Sequence, residues 1–294
     1  MAPESIPSSL ESKKNRWSHA LRAMLAHPLT RGLDLDDPAT TERRRQIIRS
    51  KGLLKRIYSQ WYGMIQAGLG ENGPILELGS GGGFMSESIN GLIPSEVFFC
   101  KNVAVIADAM ALPFAPASLR AIVMVDVLHH IPDVRKFFNE ADRCLRQGGA
   151  ILMVEPWVSR WSKLIYTKLH HEPFLPQAAE WSFPSRGPLS GANGALPWIL
   201  VERDRAVFER DFPQFEISTV QPIMPFQYLV SGGISMRSLG PGWSFHFWRI
   251  LEAILHPWMK DWGMFAFIAF RKRVPISEAF RITSAYETRT GLLL

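Results

Sequence analysis

The chain has 294 residues, 47% of them hydrophobic and 20% charged, which suits a globular domain with additions and excludes disorder throughout. Its two cysteines, Cys100 and Cys144, exclude a disulfide framework and fit a reducing compartment. The net charge of +6 belongs to residues 1–70, which carry 12 Lys/Arg against 6 Asp/Glu; the remainder is balanced at 21 against 21, which argues against a nucleic-acid groove across the core.

The opening residues are polar and proline-rich, without the apolar stretch of a secretory signal. The longest apolar run, Gly263 to Phe270, is too short to span a bilayer. The expectation is a cytoplasmic chain with peripheral membrane contact at most.

In chain order, residues 1–15 read as an arm. Asp37-Pro38 supplies a cap and a first helical position. Ile47, Leu54, Tyr58, Trp61 and Ile65 then recur at helical spacing, with Gly52 as a break and Arg43, Arg44, Arg45 and Arg49 among them. One reading is a basic helix on a membrane or nucleic acid; the plainer one is a helical cap on a sheet with solvated arginines.

Pro74 to Phe84 reads as a buried strand that ends in an acid and turns through a glycine loop into a helix. A dinucleotide fingerprint would need a glycine where Phe84 stands. Leu92 to Val97 and Val103 to Ala109 read as second and third strands, with the intervening helix missing or reduced to residues 98–102. Ala121 to Val127 is a fourth strand. A helix over Asp133 to Gln147 follows, stopped by Gly148-Gly149, and Ile151 to Glu155 is the fifth strand.

Residues 157–200 hold five prolines and four tryptophans, so regular structure is not expected past Leu169. Phe215 to Pro225 reads as a sixth strand and Met264 to Phe270 as a seventh. Between them, Phe247, Leu251, Ile254 and Trp258 mark one face of a helix that reads as core rather than membrane anchor. Residues 274–294 read as a tail.

Glu77, Gly79, Gly81 and Gly83 fill the pattern E/D-x-G-x-G-x-G. Together with the spaced acids that follow, this resembles the class I S-adenosylmethionine-dependent methyltransferases. The resemblance is specific from Pro74 to Pro156; beyond, it is one of general shape, closest to the type 11 group. It implies an α/β, Rossmann-like, doubly wound seven-stranded sheet whose seventh strand runs antiparallel beside the fifth. An N-terminal helical cap (1–70) precedes a domain over 71–273, in which 157–200 forms a lid on the substrate side.

The implied donor site comprises Glu77, Gly79, Ser80, Gly81 and Gly83, with Glu96 at the ribose, Asp108 and Ala109 at the adenine, and Asp126 at the methionine portion. His129 and His130, after the fourth strand, are the candidate catalytic bases. His170-His171-Glu172 invites a metal reading. Adjacent histidines point apart, however, and neither H-E-x-x-H nor C-x-x-C is present, so no metal is expected.

The expected function is methyl transfer from S-adenosylmethionine to a small or lipid-like acceptor. An RNA methyltransferase, a nicotinamide oxidoreductase and a non-catalytic S-adenosylmethionine-binding module are the rivals. The basic N-terminal helix is the expected element for any membrane contact. The sequence leaves the acceptor, the methylated atom and the oligomeric state open.

Overall fold

Residues 27–30, 37–70, 72–169, 172–185, 187 and 191–274 are described by the structure, a computed structural model. The predicted arm, the tail and the His170-His171 pair lie outside them. Strands β1 (Ile75–Leu78), β2 (Leu92–Glu96), β3 (Val105–Ile106), β4 (Leu119–Val125), β5 (Leu145–Pro156), β6 (Phe215–Ile223) and β7 (Phe265–Lys272) form one sheet. Their order is β3-β2-β1-β4-β5-β7-β6. The first five run parallel, and β7 lies antiparallel between β5 and β6, as expected.

The central strands are nearly continuous apolar runs because both sheet faces are covered. Alternation sorts their side chains into two cores. Leu76, Ile122, Met124, Ile151 and Met153 pack on the face of helix Val134–Cys144, while Ile75, Ala121, Val123, Leu152 and Val154 pack on the opposite face.

That opposite face departs from expectation. The glycine loop leads into no helix; a single 3-10 turn, Met85–Glu87, takes its place. No helix joins β2 to β3 either. The N-terminal helices α1 (Pro38–Ser50) and α2 (Gly52–Gly68) cover the sheet instead. Asp37 caps α1, its Oδ1 accepting the Ala39 N–H at 2.8 Å. Helix α2 buries Leu53, Leu54, Ile57, Tyr58, Trp61, Tyr62 and Ile65. Trp61 is fully buried, 5.0 Å from the Phe265 ring and stacked on Tyr228 at 5.7 Å. Truncating a side chain so enclosed costs about 3–5 kcal/mol.

Two further expectations need correction. The helix predicted to reach Gln147 ends at Cys144, because β5 begins at Leu145 to pair with Leu119. Helix α3 (Phe245–Ile254) reads from its spacing as core, yet Phe247 and Ile254 are 60% and 64% exposed, and Trp258 beyond it is 55% exposed. Its inner side is held through polar contacts instead. Buried Glu252 accepts the N–H groups of Phe226 and Gln227 at 3.0 and 2.8 Å.

The segment after β6 is tied to the N-terminal helices by one cation. Lys51, buried at the α1–α2 joint, donates to the carbonyls of Ser231, Gly233 and Met236. Burial lowers its pKa to about 8. Lys51→Met leaves three inward carbonyls without their donor, and is expected to lower stability by about 1–3 kcal/mol in urea unfolding.

Candidate active site

The site opens where β1 and β4 end, the position at which strand order reverses. Glu77 is the penultimate residue of β1 and is 5% exposed. Gly79 holds φ +62°, and a Cβ there would meet Val127 Cγ2 at 2.5 Å, so the turn accepts only glycine. Gly82 is constrained from outside: its Cβ would lie 2.8 Å from the Arg45 backbone nitrogen. Helix α1 thus rests directly on the loop. Arg45 donates to the Gly83 carbonyl at 3.0 Å, and Arg49 pairs with Glu87 just beyond. The Tyr62 hydroxyl accepts the Phe84 N–H at 3.1 Å.

The acids are fixed by backbone donors. Glu96 accepts Gly81 N–H at 3.1 Å through Oε2 and Val97 N–H at 2.9 Å through Oε1, so its carboxylate bridges the loop and the end of β2. Asp108 Oδ1 accepts Met110 N–H at 2.8 Å in a tight local turn. The segment that follows is held from helix Val134–Cys144. Glu140 accepts Leu112 N–H at 2.8 Å, and Arg143 donates to the Leu112 and Phe114 carbonyls.

After β4, Asp126 holds φ +63°, with its N–H on the Val154 carbonyl at 2.8 Å. The following turn is organised by Glu155, which is fully buried. Glu155 Oε1 accepts Val127 and Leu128 N–H, both at 2.8 Å, and Oε2 receives His129 Nδ1 at 2.8 Å. His129 Nε2 faces Glu172 at 3.5 Å and Asp126 at 3.9 Å. Burial opposes a charge on His129, but the Glu155 and Glu172 carboxylates outweigh it and hold its pKa well above the usual histidine value. Burial and cationic His129 together push His130 down to about 4. The His130 Nδ1 lies 3.0 Å from the Gly191 carbonyl, which fixes that nitrogen as the protonated one and leaves Nε2 as the acceptor.

Burial pushes Glu77 up to about 7, with Glu96 adding to it, and pushes Asp126 up to about 7 against the pull of His129.

A cavity of about 820 Å³ joins these parts. Glu77, Gly79, Ser80, Gly81, Gly83, Glu96, Asp108, Ala109 and Asp126 all line it, and so does His130. His129 does not: its ring is fully buried behind the wall. Sequence reasoning missed Thr40, Thr41 and Arg44 on α1, Tyr58 and Tyr62 on α2, and Tyr228 and Met236 after β6. The two α2 tyrosines sit in an apolar helical repeat that reads as plain core.

The tryptophans of 157–200 are also placed otherwise than the lid reading implies. Trp157 and Trp181 are buried in the core, and Trp161 donates to the Pro225 carbonyl at 2.9 Å. None of the four lines the cavity; among the described residues, Glu172 and Gly187 are what this insertion contributes.

Residues 76–153 match the family described as a methyltransferase domain. Solved structures with a similar chain course include geranyl diphosphate C-methyltransferase from Streptomyces coelicolor A3(2), at 15% identity and TM-score 0.42 over 93% of this chain and 100% of that one. A possible histamine N-methyltransferase from Thermotoga maritima matches at 16% identity and TM-score 0.46, over 80% of this chain and 99% of that one. At that distance the likeness says nothing of the acceptor. Residues 76–153 thus form a methyltransferase domain, and its methyl donor is S-adenosylmethionine. The site fits that donor: glycine backbone forms one wall, and buried carboxylates face a ligand that carries two cationic groups and no phosphate.

The raised acids make stability depend on pH. In the unfolded chain a glutamate ionises near pH 4.3, whereas folded Glu77 keeps its proton to about 7. Its contribution to stability therefore falls as pH rises from about 4.3 to 7 and stays low above. Glu77→Gln is expected to melt higher than the wild type at pH 8 in the donor-free state, with the difference vanishing by pH 4. Equal melting temperatures at pH 8 would show that Glu77 is not held in this way.

Proposed function

We propose that the chain transfers the donor methyl group to a small or lipid-like acceptor that enters beside Asp126 and His130. The observation that carries this reading is one continuous cavity, walled at one end by the glycine loop with Glu77, Glu96 and Asp108, and elsewhere by His130, Glu172, Tyr58 and Tyr228. Cavities of roughly 300–1,000 Å³ hold small molecules, so this one has room for a donor and a modest acceptor.

In this reading Glu77 faces the donor ammonium, Glu96 the ribose hydroxyls and Asp108 the adenine amino group. Asp126 lies near the methionine portion. S-adenosylmethionine supplies an activated methyl group, so the protein's task is alignment and removal of a proton from the acceptor. His130 is suited to the second part, because it lines the cavity, is neutral at pH 7 and has its Nε2 left unprotonated by the Nδ1 contact with the Gly191 carbonyl. Glu172, 3.8 Å away, offsets the charge that forms when Nε2 takes the proton. His129 cannot touch the acceptor; it and Glu155 position the turn.

Nucleic acid is disfavoured as acceptor. Two of the four arginines that supply the basic N-terminal track, Arg45 and Arg49, are engaged on the glycine loop and on Glu87.

Donor binding tests the first half of the reading. The donor ammonium favours ionised Glu77, so affinity is expected to rise with pH between about 5.5 and 7.5, approaching tenfold per unit at the steep end, with proton release seen by calorimetry in buffers of different ionisation enthalpy. Glu77→Gln flattens that slope, and Asp108→Ala weakens binding about tenfold or more. A flat wild-type profile contradicts the role of Glu77.

Transfer tests the second half. Labelled donor incubated with fractionated cell extract is expected to mark a small or solvent-extractable product. His130→Gln should lower kcat about 100-fold or more with donor affinity unchanged. Label found in RNA, together with a salt-sensitive RNA affinity lost on neutralising Arg43, Arg44, Arg45 and Arg49, overturns the small-acceptor reading.

A further inference from the structure

We propose that the face formed by Trp243, Phe247, Ile250, Ile254 and Trp258 lies on the surface of an anionic membrane. Phe247, Ile250 and Ile254 share one face of α3, and Trp243 and Trp258 flank it in the short 3-10 turns Gly242–Ser244 and His256–Trp258. In chain order the five are 77%, 60%, 63%, 64% and 55% exposed. Scattered apolar side chains are normal on a protein surface, but five large exposed ones on one helix and the turns at its two ends form the kind of patch that marks a contact.

The orientation of the stripe is built in. On the opposite side of α3, Phe245 is buried, and Glu252 is buried with its carboxylate on the Phe226 and Gln227 N–H groups. Turning the stripe inward would break these bonds and expose the N-terminus of the short helix Gln227–Ser231. The helix is therefore locked with its apolar row outward.

The charges around the stripe select the occupant. From residue 237 to 262 the cations are Arg237, Arg249 and Lys260, all exposed. The acids there are Glu252, which is buried, and Asp261, which lies 3.4 Å from Arg160. Arg56 adds a further cation, at 3.2 Å from His246 Nε2 on α3. An apolar row with tryptophans at both ends and a cationic border is the chemistry of a helix lying in a bilayer interface, where the rings enter the acyl boundary and the cations meet lipid phosphates. A second copy of the chain fits less well. A two-fold contact brings the same patch against itself, and the cationic borders would then face each other.

The surface expected from sequence, the arginine-rich α1, is by contrast partly used inside the protein, through Arg45 and Arg49. The membrane proposal stands independently of the acceptor.

The test uses the full chain in flotation with phosphatidylcholine vesicles, with and without phosphatidylglycerol. Binding is expected on the anionic vesicles, weakened by salt, with tryptophan fluorescence quenched by brominated acyl chains. Phe247→Ser/Ile250→Ser/Ile254→Ser should reduce binding about tenfold or more. Arg249→Glu/Lys260→Glu should remove the preference for anionic lipid. Both variants are expected to keep the wild-type thermal shift with S-adenosylmethionine, which shows that the fold survives. Failure of the full chain to float, or flotation unchanged in the triple variant, overturns the proposal. So does a dimer in sedimentation that the triple variant dissolves while vesicles capture nothing, and that result assigns the face to a second copy.

Discussion

The glycine loop over residues 79–84 has no helix behind it, and the N-terminal helices hold it in place. Arg45 bonds the Gly83 carbonyl, the Tyr62 hydroxyl takes the Phe84 N–H, and the α1 backbone comes so close at Gly82 that no side chain fits. From the other side Glu96 holds the Gly81 N–H. A loop that meets a ligand with bare backbone must be stiff, since a mobile one would lose conformational entropy on binding. Here the stiffness comes from residues 22 and 38 positions upstream rather than from the loop's own continuation. The same helices close the cavity with Thr40, Arg44, Tyr58 and Tyr62, so the cavity and the N-terminal helices are one packed unit.

Electrostatics adds a second constraint. Glu77 and Asp126 sit in low-dielectric surroundings that favour their neutral forms, and a cationic ligand reverses that preference. Glu155 is the contrasting case. Two N–H groups and the His129 ring surround it, and it serves to shape the turn rather than to meet a ligand. One buried carboxylate thus fixes geometry while two others remain available to bind. The cost of burying Glu77 and half-burying Asp126 is a donor-free protein less stable at neutral pH than its packing alone would give.

The elements after β5 act largely as scaffold. Trp181 donates to Asp204 at 2.8 Å and stacks under Arg135, which anchors the insertion to helix Val134–Cys144 and delivers Glu172 to the cavity. After β6, Lys51 and Glu252 hold the segment bearing Tyr228 and Met236 from opposite ends. Through Glu252, the exposed helix α3 is linked mechanically to a wall of the cavity.

Much of the proposed donor site was legible in the sequence, because its determinants are local. A strand of apolar residues, an acid at its end and glycines at alternate positions fix a turn whatever surrounds it, and acids at the ends of the next strands fall on the same sheet edge by topology. All nine residues expected there line one cavity. The parallel sheet followed from the alternation of strands and helices, and the reversal of β7 beside β5 from the family resemblance alone.

What the sequence left open depends on partners far along the chain. Periodicity put Phe247, Leu251, Ile254 and Trp258 on one apolar face, but not whether anything packs on it; the anchoring of Glu252 on Phe226 and Gln227 left Phe247 and Ile254 exposed. Composition marked Arg45 as a surface cation, and only the close approach of α1 to Gly82 gave it a carbonyl to bond. His129 and His130 are neighbours in sequence, and the short 3-10 turn Leu128–His130 sends one ring to Glu155 and the other to the cavity wall. Sequence determines which residues are able to share a face. The partner surface, set by the whole fold, decides whether that face meets core, ligand or solvent.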